Sequence, residues 1–338
     1  MPFEVDPDIR KAKTLTTDFY TDASYFELSK EKIFERSWHF LGQESKFGGL
    51  TPITLLPDFL DEPVLVSKTG EETYCLSNVC THRGKILIGG QCEAHLIRCG
   101  YHGRRFSLDG KFMSMPEFEG VENFPARSDD LAQLPSASWL GFKFASVAPF
   151  RPFEKTIEDL DTRFGDVEAE RLALTEHRQY EVDAHWALYC ENYLEGFHIP
   201  FVHKALNEIV DYGSYSTETF RNASLQTGHD DGKVAARYLF IFPNLMFNFY
   251  PWGISVNVVR PVTPSKSVIE FFTYMGDESL RDKGAGADLH GVELEDEAVV
   301  ESVQKGIRSR FYSHGRYSPT REQGTHHFHR LIAEFMND

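Results

Sequence analysis

Two groups of side chains in this sequence have the types and spacing of metal ligands. Cys80-Thr81-His82 is followed, after sixteen intervening residues, by Cys99-Gly100-Tyr101-His102, so each half supplies one thiolate and one imidazole. Two cysteines on one iron and two histidines on its neighbour give a mixed-ligand iron–sulfur cluster of higher potential than an all-cysteine one. Equal numbers of Cys and His also suit a tetrahedral structural zinc. The Cys-x-His order of the first half departs from the Cys-x-x-Cys of such sites, and the cluster reading is the stronger. Cys75 and Cys92 lie off the pattern and read as core or loop thiols. The second group runs from Glu191 to His203, with Glu195, His198 and His203 at its heart. Two imidazoles and one carboxylate form the facial triad that holds ferrous iron and leaves positions open for dioxygen. Five residues at about 100° each separate the two rings by about 140° on a helix, so a strict helix splays them. Pro200 interrupts helical hydrogen bonds, and a bend there lets both rings converge. Alone, two histidines on an aromatic-rich helix are more often ordinary ones, and it is the upstream Cys/His group that tips the balance.

Composition sets the frame. The chain has 338 residues, 51 acidic against 35 basic and a formal net charge of −16, with no basic cluster. Nucleic acid is an unsuitable partner, because phosphate binding needs concentrated Lys and Arg. No apolar run approaches the roughly 20 residues that span a bilayer, and the N-terminus lacks a charged and then apolar signal. A cytoplasmic protein is expected. Five cysteines, an odd number, read in a reducing compartment as metal ligands or core residues rather than disulfides. The length exceeds a usual single domain, and two domains are expected.

The elements that must position these groups are an α+β assembly. Residues 1–40 read as a helical arm that packs with the domain of residues 151–338, with Ser29 as N-cap of the run from Lys30 to Trp38, and Trp38 and Phe40 as core anchors. Residues 41–150 change to short strands broken by Gly, Pro and Asp: Pro63 to Ser67, Thr73 to Ser77, Leu96 to Cys99 and Trp139 to Ala145. They predict a small antiparallel β domain. In residues 151–338 a strand from Arg178 leads into the segment of His198, and four β-rich runs between Ala236 and Tyr274 predict an antiparallel sheet covered by helices. Asp277 to Leu289, rich in Gly and Asp, reads as a mobile loop.

Cys80-Thr81-His82-Arg83-Gly84, Cys99-Gly100-Tyr101-His102-Gly103 and Asp109-Gly110, followed far downstream by Glu195, His198 and His203, resemble the Rieske non-haem iron oxygenases, terminal (alpha) subunit. The likeness extends from Trp38 to the C-terminal helix. Gly100 stands where that family usually has Pro, and Arg104 where Trp is common; neither change removes a ligand. The resemblance implies a Rieske 2Fe-2S cluster on Cys80, His82, Cys99 and His102, and a mononuclear iron on His198, His203 and a third carboxylate. Composition cannot choose that acid among Glu295, Asp296 and Glu297, since an acidic helix start is usually a solvated one. An Asp eight residues before the Gln of Glu301-Ser302-Val303-Gln304-Lys305-Gly306 resembles the choline and carnitine monooxygenase branch, which points to Asp296 with the other two as fallbacks. Gly315-Arg316-Tyr317 and His326-His327-Phe328-His329 also resemble that branch; neighbouring histidines on a helix diverge, so these read as packing and surface residues. By the same resemblance Glu195 bridges the iron to a cluster histidine of an adjacent subunit, and Asn192 and Tyr193 line the iron site.

The resemblance implies a terminal oxygenase that takes dioxygen and electrons from a separate flavin or iron–sulfur reductase, with or without a ferredoxin. NAD(P)H then acts only indirectly, in keeping with the lack of a dinucleotide fingerprint. It also implies a homotrimer, since head-to-tail transfer needs a ring that closes. The expected substrate is a small quaternary ammonium compound, hydroxylated or N-demethylated; aromatics around Phe247, Phe249, Tyr250 and Trp252 are candidates for a cage around it, while a strand so rich in Phe and Tyr is more often plain core. Aromatic-ring hydroxylation, by one or two oxygen atoms, is the alternative, and a Rieske electron-transfer protein or a zinc-stapled binding module are those of other classes.

Overall fold

The computed structural model describes residues 3–165, 167–209, 211–281 and 283–338. Met1 and Pro2 of the expected arm, Asp282 of the expected loop, Asp166 and Val210 lie outside the described residues. The chain forms two compact units, residues 38–150 and residues 1–37 with 151–338. The boundary falls at Ser37/Trp38, a few residues before the expected one, because a strand already begins at His39.

The arm holds helices α1 (Thr17–Thr21) and α2 (Ala23–Ser29). Asp22 caps α2 by accepting from the Ser24 N–H at 2.8 Å. Ser29 ends α2 instead of capping the next run: its hydroxyl donates back to the Phe26 carbonyl at 2.6 Å, the helix having started seven residues earlier than expected.

The unit 38–150 contains nine strands: β1 (His39–Gln43), β2 (Leu50–Leu55), β3 (Glu62–Thr69), β4 (Glu72–Ser77), β5 (Ile97–Arg98), β6 (Arg105–Phe106), β7 (Phe112–Ser114), β8 (Ser136–Trp139) and β9 (Phe142–Ala145). They form three antiparallel three-stranded sheets, β1-β9-β8, β2-β3-β4 and β5-β6-β7. β3 is buried on both faces. Leu65 joins the cluster of Leu50, Leu76, Ile97 and Phe106 that also holds Cys80 and Cys99, while Val64 and Val66 join Phe47, Leu55 and Cys75 on the other side. The run from Trp139 to Ala145 is a hairpin and not one strand, since Leu140 and Gly141 both take positive φ, 51° and 78°, as a tight two-residue turn requires.

Beyond α3 (Phe153–Thr156) and α4 (Asp161–Phe164), β10 (Ala173–Val182) leads to helix α5 (Trp186–Tyr193), then to α6 (Ile199–Val202) and α7 (Lys204–Ile209). Strands β11 (Ser216–Thr219), β12 (Ala223–Asp230), β13 (Lys233–Ile241), β14 (Leu245–Tyr250), β15 (Gly253–Thr263) and β16 (Lys266–Met275) complete a seven-stranded antiparallel sheet, β10-β16-β15-β14-β13-β12-β11. Helices α8 (Leu289–Gly306) and α9 (Gln323–Asn337) follow. Tyr238 pairs with Asn248 and Leu239 with Phe247, so alternate residues of β13 and β14 face opposite sides. Tyr238, Phe240, Asn248 and Tyr250 look toward α5, α8 and α9. Phe247 and Phe249 look the other way, where Phe249 stacks on Phe164 at 4.5 Å. The stretch expected as a mobile loop is seated against the sheet, with Ala285 buried and a Cβ on Gly286 coming within 2.5 Å of the Trp252 ring nitrogen.

Candidate metal centres and substrate cavity

In the unit 38–150 the two cysteine loops are twins. Gly84 N–H closes on the Cys80 carbonyl at 3.0 Å and Gly103 N–H on the Cys99 carbonyl at 3.1 Å. Both glycines take positive φ, 67° and 76°, which an L residue resists. Four ligand side chains emerge sorted by type. The buried Cys80 and Cys99 thiols lie in one cluster and perturb each other's ionisation, and the His82 and His102 rings meet Nδ1 to Nδ1 at 3.1 Å. Two bonds of about 2.1 Å to one ion at a near-right angle give that spacing. A thiol pair beside an imidazole pair fits a two-iron cluster with one iron per pair.

Arg104 is buried beneath this site. Its guanidinium donates to Asp129 Oδ1 at 2.6 Å and sits 4.9–5.7 Å from the ring centres of Phe106, Phe112 and Phe124. A flat cation neutralised by Asp129 and stacked on apolar rings fills the place of an indole. Thr81 of the first loop donates to the Asp129 carbonyl at 2.8 Å, so the same residue anchors both.

In the other unit, α5 ends at Tyr193 and α6 is a single turn. His198 precedes that turn and His203 follows it, so the rings do not share one helix. His198 Nε2 lies 3.1 Å from His203 Nε2, Asp296 Oδ1 lies 3.0 Å from His203 Nε2, and it lies 3.6 Å from His198 Nε2. Adjacent donors on an octahedral ion with bonds of about 2.1 Å are about 3.0 Å apart, so the triangle fits one face of such an ion. Among the described residues this is the group gathered tightly enough to hold one metal ion. The opposite nitrogen of each ring meets a carboxylate: His198 Nδ1 is 2.7 Å from Glu195 Oε1 and His203 Nδ1 is 2.7 Å from Glu295 Oε2. Those acceptors fix the proton on Nδ1 and free Nε2 for a metal. Burial of His203 opposes its charge, but the hydrogen bonds and field of Asp296 and Glu295 prevail and raise its pKa.

Of the three candidate acids, Asp296 completes the triangle, Glu295 orients His203, and Glu297 does neither. Asn192 donates to Asp296 Oδ1 at 2.9 Å, and Tyr193 donates to Asn248 Oδ1 at 2.8 Å. Glu195 also accepts the N–H groups of Phe197 and His198. The three C-terminal histidines do not face solvent: His326 and His329 are buried on α9 and His327 is half-buried. His329 lies between Tyr317 and Glu191, and its Nε2 is 3.1 Å from Glu191 Oε1.

The triad opens on a cavity of about 110 Å³. Tyr193, Tyr215, Tyr238 and Tyr250 wall one part, with Tyr193 and Tyr250 edge-on to Tyr238 at 6.5 and 6.1 Å. Ile199, Leu206, Phe271, Leu289 and Val292 wall another. Of the expected cage only Tyr250 reaches the cavity; Phe247 and Phe249 lie on the far face of β14, and Trp252 backs Tyr250, stacked at 5.0 Å. Sequence reading also missed Glu293, a buried carboxyl in the cavity wall that accepts from Tyr189 at 2.5 Å. Its signal was its place one helical turn before Asp296.

Residues 37–125 match the family model for the Rieske 2Fe-2S domain, and residues 211–338 match the catalytic domain of the ring hydroxylating alpha subunit. The chain is 30% identical to the chloroplastic choline monooxygenase of Arabidopsis thaliana, over 97% of this chain and 85% of that protein. It is 28% identical to the carnitine monooxygenase oxygenase subunit of Escherichia coli K12, over 97% and 95%. Among solved structures, the quaternary ammonium Rieske monooxygenase CntA in complex with L-carnitine superposes with a TM-score of 0.82 at 25% identity, covering 99% of each chain.

Proposed function

The chain belongs to the Rieske non-haem iron oxygenases as a terminal oxygenase subunit, and from that premise we propose that it oxidises a small quaternary ammonium compound at His198, His203 and Asp296. The observation that carries this reading is that the three-donor triangle opens on a cavity walled by five tyrosines, Tyr189, Tyr193, Tyr215, Tyr238 and Tyr250. A ring face attracts such a cation by about 0.5–2 kcal/mol. The relatives named for choline and carnitine support it.

Cys80 and Cys99 are suited to one cluster iron, and His82 and His102 to the other. The cluster, when bound, supplies single electrons, and the mononuclear iron supplies oxygen activation for attack on a C–H bond. The residues do the rest. Asn192 holds Asp296 in place, Glu195 and Glu295 fix the two imidazoles, and the tyrosines orient the cation and exclude water. Electrons come from a separate reductase of flavin or iron–sulfur type, with or without a ferredoxin.

We assign Glu195 the bridge to a cluster histidine of a neighbouring copy in a head-to-tail homotrimer. Exposed apolar side chains flank both ends of that path: Ile86, Tyr101 and Met113 in the unit with the cluster loops, Phe197 and Phe201 beside Glu195 in the other. Such side chains gain by burial against a second copy. Sedimentation at three times the chain mass is expected, and a monomer with full activity would refute the bridge. No helix among the described residues is long and apolar enough to cross a membrane, and we place the enzyme in the cytoplasm.

The test is turnover by anaerobically purified protein with a surrogate reductase, offered choline, L-carnitine, betaines and arenes. Oxygen uptake coupled to aldehyde or formaldehyde from an ammonium compound is expected. Uptake coupled to arenes alone would overturn the reading in favour of ring hydroxylation, which the apolar wall of Leu206, Phe271 and Val292 also suits. A triad that stays empty on iron reconstitution would leave an electron carrier.

A further inference from the structure

Among the described residues Glu293 is the one carboxyl in the cavity wall with no part in holding a metal or orienting a ligand. It is 3% exposed, and only Oε2 is engaged, by the Tyr189 hydroxyl. Among the described residues Oε1 has no hydrogen-bond partner. A buried carboxyl oxygen left unpaired costs free energy, and such a cost persists where a ligand relieves it. Among the described residues the cavity lining contains no Lys or Arg, while it contains Glu195, Glu293 and Asp296. Among the described lining residues a zwitterionic substrate finds no cationic side chain to pair with its carboxylate. A substrate of net positive charge finds aromatic faces and a buried carboxyl that becomes its counter-ion by releasing its proton to solvent.

We propose that Glu293 is the counter-ion that selects a quaternary ammonium alcohol of net charge +1, the chemical class of choline, over zwitterionic betaines and carnitine. This rests on the quaternary ammonium reading above and narrows it. The alcohol end is matched by the uncharged polar wall of Asn248, Ser255 and Asn257. Burial holds the Glu293 carboxyl well above the ordinary carboxylate range, which is the direction expected of an acid whose cation is not yet bound.

The experiment is equilibrium binding by calorimetry to the anaerobic, iron-loaded holoenzyme. Four ligands are compared: choline, its neutral isostere with a quaternary carbon in place of nitrogen, L-carnitine and glycine betaine. Choline is expected to bind at least roughly 30-fold more tightly than the isostere and than either zwitterion, as removal of one member of a buried charge pair implies. In Glu293→Gln, choline binding should fall by a similar factor while the isostere binds as before and the iron content is unchanged. Wild-type protein that prefers the isostere to every ammonium compound would sink the quaternary ammonium reading itself. Wild-type protein that binds carnitine or betaine as tightly as choline would overturn the selection alone, with no variant needed. A Glu293→Gln protein that keeps its choline affinity, or that loses iron and isostere binding together, would show Glu293 to be structural or to balance the metal.

Discussion

Glu295 offers the sharpest perturbation of the iron site, because it reaches the metal ligands through one hydrogen bond, 2.7 Å to His203 Nδ1. Glu295→Gln keeps the shape and an acceptor but exchanges a charge-assisted bond of about 1.5–3 kcal/mol for a neutral one of about 0.5–1.5 kcal/mol. The Glu295 side chain is 49% exposed while that of His203 is 2% exposed, so water screens one partner and not the other. That leaves a loss on the order of 1 kcal/mol, about five-fold in ferrous affinity, below the 10–100-fold common for such outer partners. Glu195→Gln should cost more, tens-fold, because its carboxylate is only 15% exposed and also holds two backbone N–H groups. The assay is anaerobic ferrous titration against a competing chelator, with cluster absorbance reporting folded protein. If Glu295→Gln loses iron as completely as Asp296→Ala, Glu295 is a ligand and the triangle is misassigned. If Glu297→Gln has the larger effect, the orientation argument for His203 fails.

Asp129→Asn should destabilise the cluster unit by about 2–3 kcal/mol, less than the roughly 3–5 of a fully buried pair because Asp129 is 19% exposed against 2% for Arg104; denaturation followed at the cluster absorbance measures it, and an unchanged midpoint would mean that the phenylalanine stack alone holds Arg104. Asp296→Ala should empty the mononuclear site while leaving the cluster spectrum intact, as checked by iron content and electron paramagnetic resonance. His185, fully enclosed at the start of α5, has its pKa pushed by burial from 6.5 down to about 3. The unfolded chain therefore takes the proton first, so stability present above pH 6.5 is lost as pH falls toward 3, on the order of 5 kcal/mol in all. His185→Gln retains an acceptor for the Ala187 N–H and does not titrate, so its stability should fall less steeply across that window in equilibrium unfolding.

The candidate cluster ligands were legible in the sequence because each loop carries its Cys and His within four residues, and the fold only has to bring two loops together. The sheet was legible in part. β13 to β16 are rich in β-branched and aromatic residues, whereas β11 and β12, with sequences Ser216–Thr219 and Ala223–Asp230, are polar and went unseen. Propensity is weak evidence for such strands, the edge strand β11 and its neighbour β12, where pairing decides. The aromatic cage was placed on the wrong face because runs such as Leu245–Tyr250 are buried on both sides, and burial on both sides erases the alternation that reveals orientation. The pairing of Tyr238 with Asn248 restores it.

Helix α8 explains why three acids were indistinguishable in sequence while in the structure Asp296 is the one of them grouped with both imidazoles. At about 100° per residue, Asp296 and Glu297 both lie within about 60° of Glu293 on the helix surface, one to either side, so any face that presents Glu293 to the cavity presents both. Pattern alone cannot separate them. The choice is made from outside the helix, by the side on which His203 arrives. Its two nitrogens touch Glu295 and Asp296, which are 100° apart on one flank, and leave Glu297 on the other. Less than one turn of α8, about 300° from Glu293 to Asp296, thereby carries the proposed counter-ion Glu293, the orienting group Glu295 and the candidate ligand Asp296, each with a different partner. A single-residue insertion between Leu289 and Val292 leaves the register of these three intact relative to one another, whereas one between Glu293 and Glu295 rotates Glu293 by about 100° against the other two. The second insertion should therefore abolish the preference for choline over its neutral isostere while iron is retained. If iron and preference are lost together, counter-ion and ligand do not act as separable functions of this helix.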